Sequence, residues 1–474
     1  LSLVTTKLHL FLDGRALAGL AGGCITVGKR AGLASTAPGA EEEIQMTALP
    51  DPATEPSRFL RHLFDAAVAR ADPMRVMSEH LPSRPEGRLV VIGAGKASAR
   101  MAEAVEAVYG PCEGLVLTRY GYARPCKGIE IVEAAHPVPD QAGLEATARM
   151  LELVSGLGPE DTVLALISGG GSALLCAPVE GLTLEGKQAV NRALLTSGAP
   201  ISAMNVVRKH LSRVKGGQLG AACAPARLLT LVISDVPGDD PAEIASGPTV
   251  ADRSTPAQAL EIIDRWKIAL PEAARAAIAA ARPGDGPVPP GDPRLARADT
   301  RIVAAPAQSL AVAEELARAA GCEVRMLGDA LEGEARELAQ SQAHMARDIA
   351  ADLAPGDKPV LLLSGGECTV TRRGGGRGGP NAEFALAAAI ELAGHPRVHL
   401  LACDTDGVDG ADEVAGACVG PDTLDPLGFD AACHALDDND AHGFFEKVGA
   451  QVVTGPTLTN VNDFRALLVL PPEV

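Results

Sequence analysis

The sequence predicts an α/β protein made of two domains in series, each a sheet flanked by helices. Three features carry this expectation. From residue 55 onward, short β-rich apolar runs alternate with longer helical segments. Glycine, at 51 of 474 residues, clusters directly after those runs, where open α/β sheets bind their ligands. A Pro- and Gly-rich stretch over residues 281–297 separates two such alternating series, and its prolines exclude a helix interior or a central strand.

The elements follow in order. Residues 1–54 are expected to form a disordered extension; no methionine precedes Met46, which suggests extra upstream translation. The apolar part of this extension is broken by Asp13 and Arg15, so it makes a poor signal-peptide core. The first domain, residues 55–295, carries strands near 88–92, 114–118, 162–168 and 227–234, each an apolar run ending at glycine or polar turns. The second, residues 300–474, restarts the alternation at Arg301 and places strands near 359–364, 398–403 and 466–471. No short-period repeat relates the halves.

Composition narrows the class of function. With 47% hydrophobic and 22% charged residues the chain reads as a globular enzyme rather than a disordered one. A formal charge of −18 argues against nucleic acid or an anionic membrane as partner. Ten cysteines without a CxxC pair point to reduced thiols and a cytoplasmic setting, and nothing has zinc-ligand spacing.

Six glycine-rich or charged segments sit where chemistry is expected. Gly93-Ala94-Gly95-Lys96 joins a strand to a helix, so backbone amides and one ammonium are offered to an anion. It matches neither the Walker loop, because Val90 stands at its first glycine, nor the dinucleotide fingerprint, because Ser98 stands at its third. Ser168-Gly169-Gly170-Gly171-Ser172 reads as an anion nest; Leu174 excludes a nucleophile elbow. For both motifs a tight structural turn is the competing reading.

Asn205, Arg208 and Lys215 lie on a basic helical run and are candidate phosphate or substrate ligands, against the alternative of a solvated basic face. Asp235 ends a buried strand and is a candidate to orient a hydroxyl, while Asp239 and Asp240 read as turn caps. Arg377 stands in a glycine loop before Asn381, where it can fork onto phosphate. The same loop matches GxGxxG at Gly374, Gly376 and Gly379, which keeps a dinucleotide reading open. Asp404 and Asp406 end another strand and offer ligands for magnesium; Ala415 at the twelfth position excludes an EF-hand. Thr457, Thr459, Asn460 and Asn462 are polar loop residues before the last strand, and His136 and His210 read as structural more readily than as site residues.

Taken together and in order, GAGKAS, SGGGSALL, NVVRKHLSRVKGG, SDVPGDDPAEIASGPT, SGGECTVTRRGGGRGGPNAEFAL, DTDGVDG and TGPTLTNVNDF resemble the MOFRL-type glycerate 2-kinases over roughly residues 55–472. The resemblance implies two Rossmann-like α/β domains with the active site in the cleft between them. It implies ATP and Mg2+ as cofactors, D-glycerate as substrate, and 2-phosphoglycerate and ADP as products; a homo-oligomer is allowed. The family's essential lysine and arginine fall on Lys96 and Arg377, and Asp235 lies in its SDV motif. Pro380 departs from the pattern, since relatives commonly carry arginine there. The alternatives are a hydroxypyruvate reductase using the GxGxxG loop and a non-catalytic sugar-acid or nucleotide sensor on the same fold.

Overall fold

The computed structural model describes residues 49–282 and 284–473. The expected extension over residues 1–54 therefore lies largely outside the described residues. Six strands, β1 (Leu89–Ala94), β2 (Glu113–Arg119), β3 (Ile129–Ala134), β4 (Thr162–Ile167), β5 (Arg227–Ile233) and β6 (Ala298–Ala304), form one wholly parallel sheet in the order β3-β2-β1-β4-β5-β6. Alternation along β1 sends Val90 and Ile92 to one apolar layer and Leu89 and Val91 to the other. Both faces are covered, which is why the strands read as continuous apolar runs.

The second sheet is mixed. Its eight local strands are β7 (Glu323–Gly328), β8 (Gly333–Glu334), β9 (Val360–Gly366), β10 (Cys368–Thr369), β11 (Val398–Asp404), β12 (Gly416–Val419), β13 (Gln451–Val452) and β14 (Asp463–Val469). Six of them run in the order β13-β12-β11-β14-β9-β7, and β8 with β10 makes a separate two-stranded ribbon. Only the β7–β9 pair in this six-stranded sheet is parallel; β9, β14, β11, β12 and β13 pair antiparallel. Alternating β and α runs do not reveal this, because strand direction depends on which strands pair and not on their composition.

The chain crosses between the sheets at other points than the Pro/Gly stretch. β6, which follows that stretch, hydrogen-bonds to β5 and completes the first sheet. The helix Pro56–Arg70, near the start of the expected first domain, packs on the second sheet instead. Its Phe59, Leu60, Leu63 and Phe64 join Leu401, Phe464 and Leu468 in one core, and Phe64 meets Phe464 edge-on with centroids 5.7 Å apart. The proline-rich segment ends regular structure, but it does not mark where the two sheets separate.

Four further helices form a cluster of their own between β4 and β6 in the chain. The helices Leu184–Leu195, Ile201–His210, Pro256–Arg265 and Glu272–Ala279 share an apolar core built from Val190, Leu194, Val207 and Ile263, among others. Among the described residues no helix is long and apolar enough to cross a membrane, and the described cysteines are unpaired thiols.

Candidate active site

Strand order reverses between β1 and β4, which pair with each other while their neighbours lead away in opposite directions. Such a switch point opens a crevice at the carboxyl ends of the two strands. Lys96 leaves β1 there and the Gly169–Ser172 turn leaves β4, and the two are tied together by the Lys96 amide donating to the Gly169 carbonyl at 2.8 Å. The amides of Gly169 and Gly170 donate to no acceptor among the described residues, so they are available to an anion.

Glycine is required at two of these positions by close approach. A Cβ on Gly95, whose φ is +148°, would overlap the Ser168 side chain, and a Cβ on Gly169 would overlap the Asp235 carboxylate. The second overlap measures how tightly the β4 turn and the end of β5 are drawn together. Ser168 Oγ accepts from the Ala97 amide at 3.0 Å and meets Ser98 Oγ at 3.2 Å, which locks the first turn against the second.

The second sheet supplies the opposite wall. The Lys96 ammonium pairs with Asp406, whose side chain is fully buried. Asp235 is held from across the cleft: Asn460 Nδ2 donates to its carboxylate at 3.2 Å, and Asn462 Nδ2 donates to its backbone carbonyl at 3.2 Å. At the rim Arg119 of β2 pairs with Glu413 at 2.7 Å. His136 lies beside Gly170 and Lys96.

The charges explain one another. Burial disfavours the Lys96 ammonium, yet Asp406, Asp404 and Asp235 outweigh it and hold the group protonated well above the usual lysine range. Burial pushes the Asp235 carboxyl up to about 6; Lys96 opposes this and Asp406 adds to it. Burial, then Asp406 and Asp463, also raise Asp404. Glu367, just after β9, reaches solvent but is crowded by protein, and with Asp235 and Asp463 nearby its carboxyl rises to about 7. His136 is pushed down to about 4 by burial and then by Lys96 and Arg119, so it is neutral at pH 7. One ammonium thus faces a surplus of carboxylates, two of them poised to exchange protons near neutrality.

Not every residue marked in the sequence reaches this group. Gly93 packs against the Leu166 backbone, a requirement of strand pairing. The Lys215 ammonium is buried and donates to the carbonyls of Ser172 and Leu175 at 2.7 and 2.9 Å, so it braces the glycine turn from behind. Asn381 is buried between Asp409 and Asp463 and donates to the latter at 2.7 Å. Asn205 accepts from Arg208 at 3.1 Å and also from Ser246, which in turn meets Ser172 Oγ at 2.8 Å. That chain links the basic helix to the glycine turn.

Arg377 stands apart. It is exposed, pairs with Glu446, and lies 3.5 Å from Asp412. The GxGxxG loop around it offers little to a pyrophosphate. Gly374, Gly375 and Arg377 already donate their amides to Asn439, Asp438 and Asp440, and the two aspartates would repel a phosphate. Nor does the loop follow directly from a long central strand, as a dinucleotide turn does; it comes after the two-residue β10. Pro380 occupies the first turn of the helix Pro380–Leu392, where its missing N–H costs no hydrogen bond.

Asp404 and Asp406 present the hard oxygen donors that magnesium takes. Among the described residues no three His, Cys, Asp or Glu side chains converge as a ligand set, and one Asp406 oxygen already serves Lys96. The two aspartates thus fit as partial ligands, not as a complete cage.

Comparison with known proteins agrees with this architecture. Residues 59–279 match a domain family of unknown function (DUF4147) and residues 360–463 match the MOFRL family. D-glycerate 2-kinase of Thermotoga maritima is 40% identical over 405 residues, spanning 84% of this chain and 94% of that protein. The chain belongs to the MOFRL glycerate 2-kinase family. The crystal structure of glycerate kinase from Thermotoga maritima superposes with a TM-score of 0.77 at 37% identity, covering 88% of this chain and all of that one. A protein from Agrobacterium vitis, provisionally named a hydroxypyruvate reductase, is 51% identical over 421 residues, spanning 87% of this chain and 94% of its own. Both names thus occur among relatives of this MOFRL family member.

Sequence reasoning passed over Glu367 and Lys187. Glu367 had no signal beyond its place after a strand. Lys187 had one, since Lys187, Val190, Asn191 and Leu194 form the buried face of one helix, and a charge on an apolar stripe asks for an explanation.

Proposed function

We propose that the protein transfers the γ-phosphoryl group of ATP to the 2-hydroxyl of D-glycerate, giving 2-phosphoglycerate and ADP. The observation that carries this reading is the meeting of Lys96, Asp235 and the Gly169–Ser172 turn at the switch point of the first sheet.

Phosphoryl transfer needs little covalent chemistry from the protein and depends on positioning and charge. Lys96 brings a permanent positive charge to the phosphoryl oxygens, and the free amides of Gly169 and Gly170 donate to the same or a neighbouring anion. Asp235, with its carboxyl near 6, is deprotonated at pH 7 and accepts the hydrogen bond, and finally the proton, of the attacking hydroxyl. Asn460 and Asn462 fix its orientation from the second sheet. Asp404 and Asp406 would offer the protein-side oxygens to a magnesium ion, which would supply neutralisation of phosphate charge. Arg377 enters this scheme through movement of its glycine loop, which must exchange Glu446 and Asp412 for phosphate.

Phosphorus NMR of a mixture of protein, D-glycerate, ATP and magnesium tests the proposal. A 2-phosphoglycerate resonance that disappears in Lys96→Ala and Arg377→Ala variants supports it. Intact ATP, together with NADH-dependent loss of hydroxypyruvate, would make the protein a reductase.

A further inference from the structure

Lys187 is 3% exposed, and its ammonium has no hydrogen-bond partner among the described residues. An uncompensated buried cation is costly, and buried charges are normally paired. Its charged neighbours are cations: Arg208 bears directly on it, and Lys187 and Arg208 both bear on Lys215. The remaining ionisable neighbour is the Cys176 thiol, held neutral because burial raises it. Among the described residues no carboxylate pairs with Lys187 or Arg208. The contrast with Lys209 on the same helical cluster is direct, since that buried ammonium is matched by Asp252 at 2.6 Å and Glu243 at 3.1 Å.

The place of this cluster is as telling as its charge. Lys215 braces the glycine turn, and Ser172, Ser246, Asn205 and Arg208 continue from it without a break. Lys187 therefore lies beside Lys215 and Arg208, at the Ser172 side of the turn. The adjacent Gln188 donates to the Pro139 carbonyl at 2.9 Å, which holds this helix against the loop that carries His136.

We propose that Lys187 and Arg208 form an anion subsite that binds the carboxylate of the hydroxy-acid acceptor, and that Lys187 thereby determines specificity for an acid over a neutral polyol. This deepens the kinase reading and rests on it. Two cationic donors without an internal counter-ion match the two oxygens of one carboxylate. Burial and then Arg208 press the Lys187 ammonium down to about 8 in the empty site, and an arriving carboxylate relieves that pressure.

The test compares wild type with Lys187→Met and Lys187→Gln, using calorimetric binding of D-glycerate and of ATP with steady-state turnover of D-glycerate and its neutral amide. Lys187→Met removes an unpaired buried charge and is expected to melt no lower than wild type; should it fail to fold, Lys187→Gln is read instead. The expected result is a loss of glycerate affinity of about 30-fold or more, as for removal of one partner of a buried ion pair. ATP affinity should stay within about twofold, and the preference for acid over amide should collapse. Unchanged glycerate affinity and preference would overturn the subsite and leave Lys187 structural. A selective loss of ATP affinity would overturn it in favour of a nucleotide-phosphate contact. Glycerate binding without turnover, abolished by Lys187→Met, would retain the subsite and remove the kinase reading; absence of any glycerate binding to wild type would overturn both.

Discussion

At Lys96 and Asp235 a positive and a negative group share a small, partly dry volume, and each sets the other's protonation. If Asp235 receives the substrate proton, kcat/KM should fall about tenfold per pH unit below pH 6, since its carboxyl lies at about 6. Asp235→Asn should lower kcat by about 10²–10⁴-fold and abolish that acid limb. Stability should move the other way. The ordinary carboxyl value is about 3.9; the folded state raises it, so protonation favours folding and that contribution is lost as pH rises toward and through 6. Asp235→Asn should therefore raise the melting temperature at pH 7 and give little gain near pH 4, which differential scanning calorimetry at the two pH values will read. Lys96→Met should cost about 10²–10³-fold in kcat, as for other preorganised donors to a developing anion. It should also destabilise the fold, because Asp406 is left buried and unpaired.

At the scale of elements, function depends on two turns leaving adjacent parallel strands at one height. The register Ala94 with Ile167 brings the residues that follow, Lys96 and Gly169, within one hydrogen bond of each other. Gly169→Ala places a methyl against Asp235 and Asn460, so activity should drop by about 10²-fold, the cost of misplacing a reacting group by roughly 1 Å. Denaturation midpoints should change less than activity, since the turn is local. The helix Pro56–Arg70 tests the opposite case. Phe64 is buried against Phe464, and Phe64→Ala should cost about 3–5 kcal/mol by urea denaturation. The folded fraction that remains should keep its KM for ATP, because Phe64 sits in the apolar core of the second sheet and not among the groups paired with Lys96 and Asp235.

At the scale of the molecule, the two sheets are interleaved along the chain and joined across the cleft. The second sheet needs the helix Pro56–Arg70, the first needs β6, and Thr459 Oγ1 donates to the Ala71 carbonyl at 2.8 Å across the join. A fragment of residues 306–474 should therefore aggregate, its apolar face bared where Phe59, Leu60 and Phe64 belong. Co-expression with residues 49–305 should restore solubility and activity; recovery of the 306–474 fragment as a soluble monomer would contradict the interleaving. The surplus of carboxylates around Lys96 is one that a bound cation is suited to balance.

The sequence by itself determined the parts governed by local rules. Apolar runs placed seven strands to within a few residues of where they lie, because burial on both faces writes itself directly into composition. Glycines and charges at strand ends marked Lys96, Gly169–Ser172, Asp235, Asp404 and Asp406, because a crevice at strand ends selects small and polar residues there. Only the tertiary structure decided the rest. Strand direction in the second sheet, the membership of β6 and the helix Pro56–Arg70, and the turning of Lys215 and Asn381 to internal partners depend on pairings between residues far apart in the chain. The same holds for Lys187: a lysine on an apolar helical stripe is a local fact, but that no carboxylate comes to meet it is settled only when the helix is packed beside Arg208.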